Sequence, residues 1–235
     1  MKKALLFCFL LNCCSINIIH AQLFGGLIKS SEPVVTIGTQ KWMEENLEVV
    51  TYRDGTVIPQ VTDATAWAGL TTGAWCYNND PVNGAIYGKL YNWYAVMGIA
   101  SAESATPTPG QIAARKQLAP RGWHIPTDDE WTTLYNQLGG NIDAGGKMKT
   151  TGTTRWKTPN TGATNVSGFA GLPGGCRYYD GRFQLVGDNG YWWSATEYPS
   201  NSSEAYLRYL KYDNGSLGWD NNEKKFGFSV RCLRD

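Results

Sequence analysis

Potential ligand-binding side chains are densest between Glu197 and Glu223. Nine residues of this interval carry a carboxylate or an amide oxygen: Glu197, Asn201, Glu204, Asp213, Asn214, Asp220, Asn221, Asn222 and Glu223. Oxygen ligands of these types suit Ca²⁺, and the candidate calcium ligands are Glu197, Glu204, Asp220 and Asn222. Asn and Asp are also the commonest turn residues, so ordinary turns are the competing interpretation.

The same interval carries aromatic side chains that could contact a sugar. Exposed rings at Tyr198, Tyr212 or Trp219 would offer a flat apolar surface on which the apolar face of a sugar can stack. The predicted ligand-binding residues are Glu197, Tyr198, Asp213, Asn214, Trp219, Asp220, Asn221 and Asn222. No cofactor other than a possible Ca²⁺ is predicted.

A second group of residues that could take part in catalysis lies around His124. This histidine precedes Asp128, Asp129 and Glu130. A histidine beside carboxylates could serve acid–base catalysis. However, the carboxylates are already expected at the start of a helix, where negative charge is favourable. We therefore interpret His124 as a structural residue bonded to nearby backbone. No catalytic residue is predicted, because Ser194 also lacks the G-x-S-x-G frame of a nucleophile.

The strongest helix signal follows His124. Thr127 and Glu130 have the spacing of a capping box, in which each side chain binds the other residue's backbone N–H. Apolar residues then recur at i, i+3, i+4 and i+7, and Gly139 and Gly140 end the pattern. These features predict a helix over about 127–138. A shorter second helix is predicted from about Asn92.

Strand signals dominate the last third of the chain. Asp180-Gly181 predicts a hairpin turn between strands at 174–179 and 182–186. Further strands are predicted at 191–196, 205–210 and 226–233, which together would form an antiparallel meander. The expected fold class is α+β, with one main helix, a shorter helix, long loops and this C-terminal sheet.

The N-terminus has the pattern of a secretory signal peptide over residues 1–21. Lys2 and Lys3 precede the apolar run 4–19, and Ala21 ends a plausible cleavage site. The competing interpretation is a retained anchor. The expected organisation is a signal peptide at 1–21, a linker at 22–33 and a single domain at 34–235. We expect an exported protein, at the cell surface, secreted or periplasmic, without a transmembrane segment after cleavage.

Charge and composition narrow the range of partners. The chain has 21 basic and 20 acidic residues, so its surface is close to neutral and argues against nucleic acid as a partner. Ten tryptophans are present. They favour an irregular aromatic core, with an exposed ligand surface as the alternative.

Three cysteines follow the predicted signal peptide: Cys76, Cys176 and Cys232. Export permits a disulfide, and the odd count leaves one thiol over. The residues alone do not identify the pair. Their wide spacing excludes a metal cluster built from cysteines.

Several motifs together resemble one known family. They are WMEENL at 42–47, WCYNNDPVNGAIYGKLYNW at 75–93, RGWHIPTDDEW at 121–131, YWWSATE at 191–197 and FGFSVRCLRD at 226–235. This set is similar to the Fibrobacter succinogenes major paralogous domain, which occurs in exported and surface proteins of Bacteroidetes and Fibrobacter. The resemblance runs from about Val34 to Asp235.

The resemblance implies a fold related to C-type lectins and to formylglycine-generating enzymes. In C-type lectins, the loop region corresponding to 197–223 binds Ca²⁺ and sugar hydroxyls. The resemblance also favours a Cys76–Cys232 disulfide with Cys176 as a buried free thiol, and Cys176–Cys232 is the rival pair. An enzyme of the formylglycine-generating type would need thiols at a copper site, for which Cys176 and Cys232 are the candidates.

The leading functional hypothesis is an exported, non-catalytic binding module for a glycan or another cell-surface ligand. The second is a structural or adhesive surface protein that binds another protein. The third, and weakest, is an enzyme of the formylglycine-generating type.

Overall fold

Strands form most of the regular structure of this chain. The computed structural model describes residues 33–103, 106–140 and 142–235. The predicted signal peptide (1–21) and all but the last residue of the predicted linker (22–33) lie outside these ranges. The structure is 30% strand and 19% helix. The predicted α+β, C-type-lectin-like fold with one main helix is therefore wrong, because a curled mixed sheet dominates and the helices are several and short.

Eleven strands occur in the described residues. They are β1 Val34–Ile37, β2 Gln40–Met43, β3 Trp75–Tyr77, β4 Lys89–Tyr91, β5 Trp123–His124, β6 Gly174–Arg177, β7 Phe183–Val186, β8 Asn189–Glu197, β9 Glu204–Lys211, β10 Gly218–Glu223 and β11 Leu233–Arg234. Their orders are β1-β2-β11-β5, β10-β9-β8-β6-β7 and β3-β4. β10 is thus an edge strand of the largest sheet.

Six helices accompany the strands in the same ranges. They are α1 Ala64–Ala68, α2 Pro81–Tyr87, α3 Trp93–Met97, α4 Pro109–Ala114, α5 Asp128–Gln137 and α6 Ala144–Met148. The predicted second helix is confirmed as α3, which has Asn92 as its N-cap and ends at Gly98 in the left-handed conformation. None of the described helices has the length and apolar character needed to cross a bilayer.

The predicted capping box is present at the start of α5, the longest helix. The Glu130 backbone N–H donates to Thr127 Oγ1 at 3.3 Å, and the Thr127 N–H donates to Glu130 Oε2 at 2.8 Å. Trp131 and Leu134 are fully buried on the inner face of the helix. Their burial positions α5 against β8 and β9.

The five-stranded sheet differs from the predicted antiparallel meander. The hairpin of β6 and β7 is present as predicted, but β6 pairs with β8 in parallel, at Gly175 and Gly190. The predicted strand 226–233 is also wrong. This segment forms isolated bridges to other parts of the core, and β11 then joins the first sheet between β2 and β5. The C-terminal segment thereby ties the two larger sheets together.

The core is aromatic, as the tryptophan content predicts. Nine of the ten tryptophans are buried, and Trp219 alone is exposed, by 59%. Trp42 and Trp131 contact each other with ring centroids 4.7 Å apart, and Phe169 packs edge-on against both. These contacts join α5, the first sheet and the loop before β6.

Buried cations stabilise the long loops. Lys149 Nζ donates to the backbone carbonyls of Thr161, Lys211 and Asn214, each at 2.8 Å. Arg231 is buried in the same manner, with its guanidinium bonded to carbonyls of separate loops. Irregular backbone cannot pair its own carbonyls, so these side chains supply the missing donors.

All three cysteines of the described chain are buried and free. This structure contains neither the predicted Cys76–Cys232 disulfide nor the rival Cys176–Cys232 pair, and the disulfide stays a prediction. Cys76 packs in a small cluster with Trp67 and Leu90, whereas Cys176 and Cys232 belong to the main core. Cys176 is a buried free thiol, as expected.

Candidate functional site

The predicted ligand-binding residues on β10 are divided between the two faces of the sheet. Side chains alternate along a strand, and residues directly opposite each other in an antiparallel pair share a face. Asp220 lies opposite the buried core residue Leu207. Asp220 and Asn222 therefore point to one face, whereas Trp219 and Asn221 point to the other.

An open cleft of about 250 Å³ lies on the face that carries Asp220 and Asn222. We name it the aromatic cleft. Its lining residues are Cys176, Tyr178, Tyr191, Tyr209, Lys211, Asp220, Asn222, Phe226 and Phe228. The cleft thus combines residues of β6, β8, β9, β10 and the C-terminal segment. Because its volume is below the roughly 300 Å³ at which drug-sized pockets begin, it suits a small group such as one sugar ring.

The rings of the cleft form one connected wall. Tyr191 stacks on Phe228, with centroids 5.1 Å apart and planes inclined by 28°, and Phe228 stacks on Phe226 at 5.6 Å and 30°. Tyr209 contacts Tyr191 at 6.1 Å, and Tyr178 contacts Phe226 at 5.0 Å. The phenylalanines are buried and the three tyrosines are half-buried. A ligand would therefore meet tyrosine rings supported from behind by phenylalanine.

Three polar side chains border this wall. Lys211 Nζ lies 5.0 Å from the centroid of the Tyr209 ring. The Asp220 carboxylate is exposed, and its Oδ1 accepts a hydrogen bond from the Asn221 backbone N–H at 2.9 Å. Asn222 adds an amide. Together they offer hydrogen-bond donors and acceptors beside an apolar surface, an arrangement that can hold a polyhydroxylated ring with one apolar face.

The side chains of Cys176, Tyr178 and Tyr191, which line the cleft, are neutral at neutral pH. Burial raises the pKa of the Cys176 thiol to about 12, and burial also raises the pKa of Tyr191 and Tyr178. A thiol with so high a pKa is neither a ready nucleophile nor a ready metal ligand. The cleft is therefore suited to non-covalent binding through rings, hydroxyls and the polar rim.

The residue pattern identifies Asp220 and Asn222 as ligand-binding candidates but not the aromatic wall. Tyr178 follows β6, whereas Tyr191 lies on β8 and Tyr209 on β9, and their separation in the sequence hides their common position at the cleft. One signal was available in Phe226-Gly227-Phe228, because rings two residues apart share a side of an extended chain.

The four predicted calcium ligands do not converge on one point. Glu197 forms an ion pair with Lys224. Glu204 lies on the opposite face from Asp220 and Asn222, where it accepts hydrogen bonds from the side-chain amides of Asn201 and Asn221. In the described ranges, no group of three or more His, Cys, Asp and Glu side chains could hold a metal ion. Calcium binding stays a prediction, and the cleft does not depend on it.

Two further predicted ligand residues, Asp213 and Asn214, lie in the turn between β9 and β10. Asn214 Oδ1 accepts the Ser216 N–H at 2.8 Å, and the Asn214 carbonyl accepts from Lys149. Asn214 thus stabilises this turn. Neither residue lines the aromatic cleft.

The His124 ring is held by two carboxylates rather than by the predicted backbone groups. Its Nδ1 lies 2.8 Å from Asp235 Oδ1, and its Nε2 lies 2.8 Å from Glu130 Oε1. Partial burial disfavours the imidazolium, but the two carboxylates outweigh this effect and raise the pKa of His124. The residue therefore links the start of α5 to the C-terminus.

A second open cavity, of about 290 Å³, lies near α3. Its charged residues already pair with one another: Arg115 with Glu103 at 2.8 Å, and Lys224 with Glu197. Most of its lining is polar residues rather than aromatic rings. It is therefore a weaker candidate than the aromatic cleft.

Comparison with known proteins identifies a family. The family model described as the Fibrobacter succinogenes major domain matches residues 35–234. No curated protein and no solved structure matches the chain. The match covers the aromatic cleft and nearly all of the described residues.

Proposed function

The chain belongs to the Fibrobacter succinogenes major domain family, and for this member we propose the function of an exported, non-catalytic binding module whose ligand is a glycan. The aromatic cleft is the proposed binding site. Export is supported by the sequence pattern of residues 1–21, in which Lys2 and Lys3 precede an apolar run.

The connected ring wall beside a mixed polar rim is the observation that carries this proposal. The C–H groups of one sugar face would pack on the rings of Tyr191 and Tyr209. Hydroxyl groups around the edge of the sugar would bind the rim formed by Lys211, Asp220 and Asn222. A hydroxyl group both donates and accepts hydrogen bonds, so it can bind a cation, a carboxylate and an amide alike. A ligand that is purely anionic or purely cationic would be repelled by one of the two charged rim residues.

The proposal also accounts for half-buried rings that folding does not require. Tyrosine rings that face an open cleft contact water on one side, so part of their apolar surface is not used to stabilise the fold. Packing a sugar there would remove this surface from water. The support from Phe226 and Phe228 holds the rings in place before the ligand arrives, which lowers the entropic cost of binding.

A glycan array with plant, host and microbial glycans tests the proposal. We expect binding to at least one glycan class, with the same result in chelator if calcium takes no part. Tyr209→Ala should weaken binding by about ten-fold or more, because it removes a stacking ring. Asp220→Ala should weaken it through the loss of a rim acceptor.

Glu223→Gln is the matched control, since Glu223 lies on the same strand but points to the opposite face. It should bind the array as the unaltered protein does. An array without binding by the correctly folded protein would overturn the proposal. Binding that Tyr209→Ala and Asp220→Ala leave intact would also overturn the assignment to this cleft.

A further inference from the structure

Edge strand β10 carries a second aromatic surface on the face away from the cleft. Trp219 contacts Tyr206 with ring centroids 6.0 Å apart, and Tyr206 contacts Tyr198 at 5.3 Å. We name these three residues the Trp219 platform. Asn221 lies on the same face, and its side-chain amide donates to Glu204. The platform is thus a row of three rings beside polar groups.

The exposure of the platform is not explained by folding. Trp219 is 59% exposed, whereas the other nine tryptophans are buried. A large exposed aromatic residue leaves apolar surface in water, and contiguous surface of this kind marks an interaction site. Tyr198 and Tyr206 are only half-buried, so the exposed surface extends over more than one ring.

One strand separates the platform from the cleft. Trp219 and Asp220 are consecutive, and they point to opposite faces of β10. Within the described residues, β10 pairs only with β9, so its outer edge is not covered by another strand. A flexible chain can therefore pass from one face of the sheet to the other around this edge.

Because the cleft is small, a longer ligand must extend beyond it. A cleft of about 250 Å³ accepts a single ring-sized group, and further units of the same ligand must leave it. Asp220 and Asn222 form the side of the cleft nearest to the edge. A chain that leaves over this side would pass β10 next to Trp219, the sequence neighbour of Asp220.

We infer that the ligand is an oligosaccharide that straddles β10, with a terminal sugar in the aromatic cleft and the following units on the Trp219 platform. This inference rests on the proposed function, because it extends the same site. It specifies the ligand as a chain with a free end rather than a single sugar.

Affinity measured against chain length tests the inference. The probes are the β-1,4-glucose, α-1,4-glucose and β-1,4-N-acetylglucosamine series, each from the monosaccharide to the hexasaccharide, titrated by calorimetry. In the series that binds, we expect the affinity to rise by about five-fold or more as units reach the platform, and then to level off. Trp219→Ala should abolish this gain with length, whereas Tyr209→Ala should weaken every member of the series.

Glu223→Gln serves again as the control and should keep the gain. Equal affinity for the monosaccharide and its longer relatives would overturn the inference while leaving the proposed function intact. The same conclusion follows if Trp219→Ala keeps the full gain with length. Absence of binding by all members of all three series, together with an empty glycan array, would instead overturn the proposed function itself.

Discussion

The ring of Tyr209 lies directly over Gly218, its antiparallel partner on β10. A Cβ atom on Gly218 would stand 2.2 Å from Cζ and 2.4 Å from Cε2 of that ring. The glycine is required for space rather than for its backbone, because its φ is not positive. One wall of the aromatic cleft thus depends on the absence of a side chain on the neighbouring strand.

Gly218→Ala should move the Tyr209 ring and weaken glycan binding by about five-fold or more, because a wall of the cleft is displaced. The cost in stability should stay below about 1 kcal/mol, since the obstructing atoms are the far end of a half-buried side chain that can rotate. Calorimetric titration and urea denaturation measure the two effects.

Gly110→Ala is the control for Gly218→Ala, because a Cβ at Gly110 has no neighbour closer than 4.0 Å. It should keep full binding. Unchanged binding by Gly218→Ala would mean that the Tyr209 ring does not shape the site.

Thr127→Ala removes one half of the capping box of α5, so it should lower the free energy of unfolding by about 1 kcal/mol. Binding should be unaffected, because Thr127 lies outside the cleft. Thr133→Ala, in the middle of the same helix, is the control and should be close to neutral. Loss of binding by a stable Thr127→Ala protein would place the ligand site near α5 instead.

The carboxylates of Glu130 and Asp235, which contact His124, should make the free energy of unfolding depend on pH. Because the pKa of His124 is raised in the folded state, its contribution is fully present below its unfolded pKa of about 6.5 and declines as the pH rises through the folded pKa. The contribution should stay below about 1 kcal/mol, since the side chain is 37% exposed and solvent screens the pair.

Urea denaturation of the unaltered protein and His124→Gln between about pH 5 and pH 8 measures this contribution. The difference in unfolding free energy between the two should be largest at the acidic end. A constant difference across the range would mean that the charge interactions of His124 with Glu130 and Asp235 do not stabilise the fold.

Arg231→Met should be far more disruptive than a surface substitution. Its guanidinium donates to the carbonyls of Met43, Glu44 and Phe169 at 2.6–2.9 Å. Each buried acceptor left without a donor costs about 1–3 kcal/mol, so the loss should exceed about 3 kcal/mol. Arg234→Met, at an exposed position, should cost less than about 1 kcal/mol. Similar losses for both variants, measured by denaturation, would contradict the assigned role of Arg231.

Thiol counting tests the absence of a disulfide. In protein that begins at Gln22, a thiol reagent without reductant should find no reactive group in the native state, because the three thiols are buried. Burial raises the pKa of Cys76 to about 12, which slows reaction further. Three thiols should react after denaturation, and a single one would instead demonstrate a disulfide.

Local features of this structure were predictable because the interacting atoms lie close in sequence. The capping box joins Thr127 and Glu130, three residues apart, and Asp180-Gly181 turns between the adjacent strands β6 and β7. The N-cap Asn92 bonds within one turn of α3. Such contacts depend on residue type and spacing alone, so sequence patterns predict them.

The predicted fold class is wrong because the fold depends on contacts between residues that lie far apart in the sequence. The C-terminal residues 226–233 have the pattern of a strand, but their pairing partners are Tyr91, Arg177 and Trp192, far away in the chain. A strand pattern specifies neither the partner nor the direction of pairing. For the same reason, the strand patterns do not predict that β6 and β8 pair in parallel.

Residue types and their spacing are enough to identify the family, the helix at α5 and the concentration of polar and aromatic residues between Glu197 and Glu223. Which of these residues share a site depends instead on how the strands pair. The register of β10 on β9 separates Asp220 from Trp219, and strand pairing brings Tyr191 and Tyr209 beside Asp220. The face of a side chain is set by long-range pairing, since a shift of one residue would exchange the two faces.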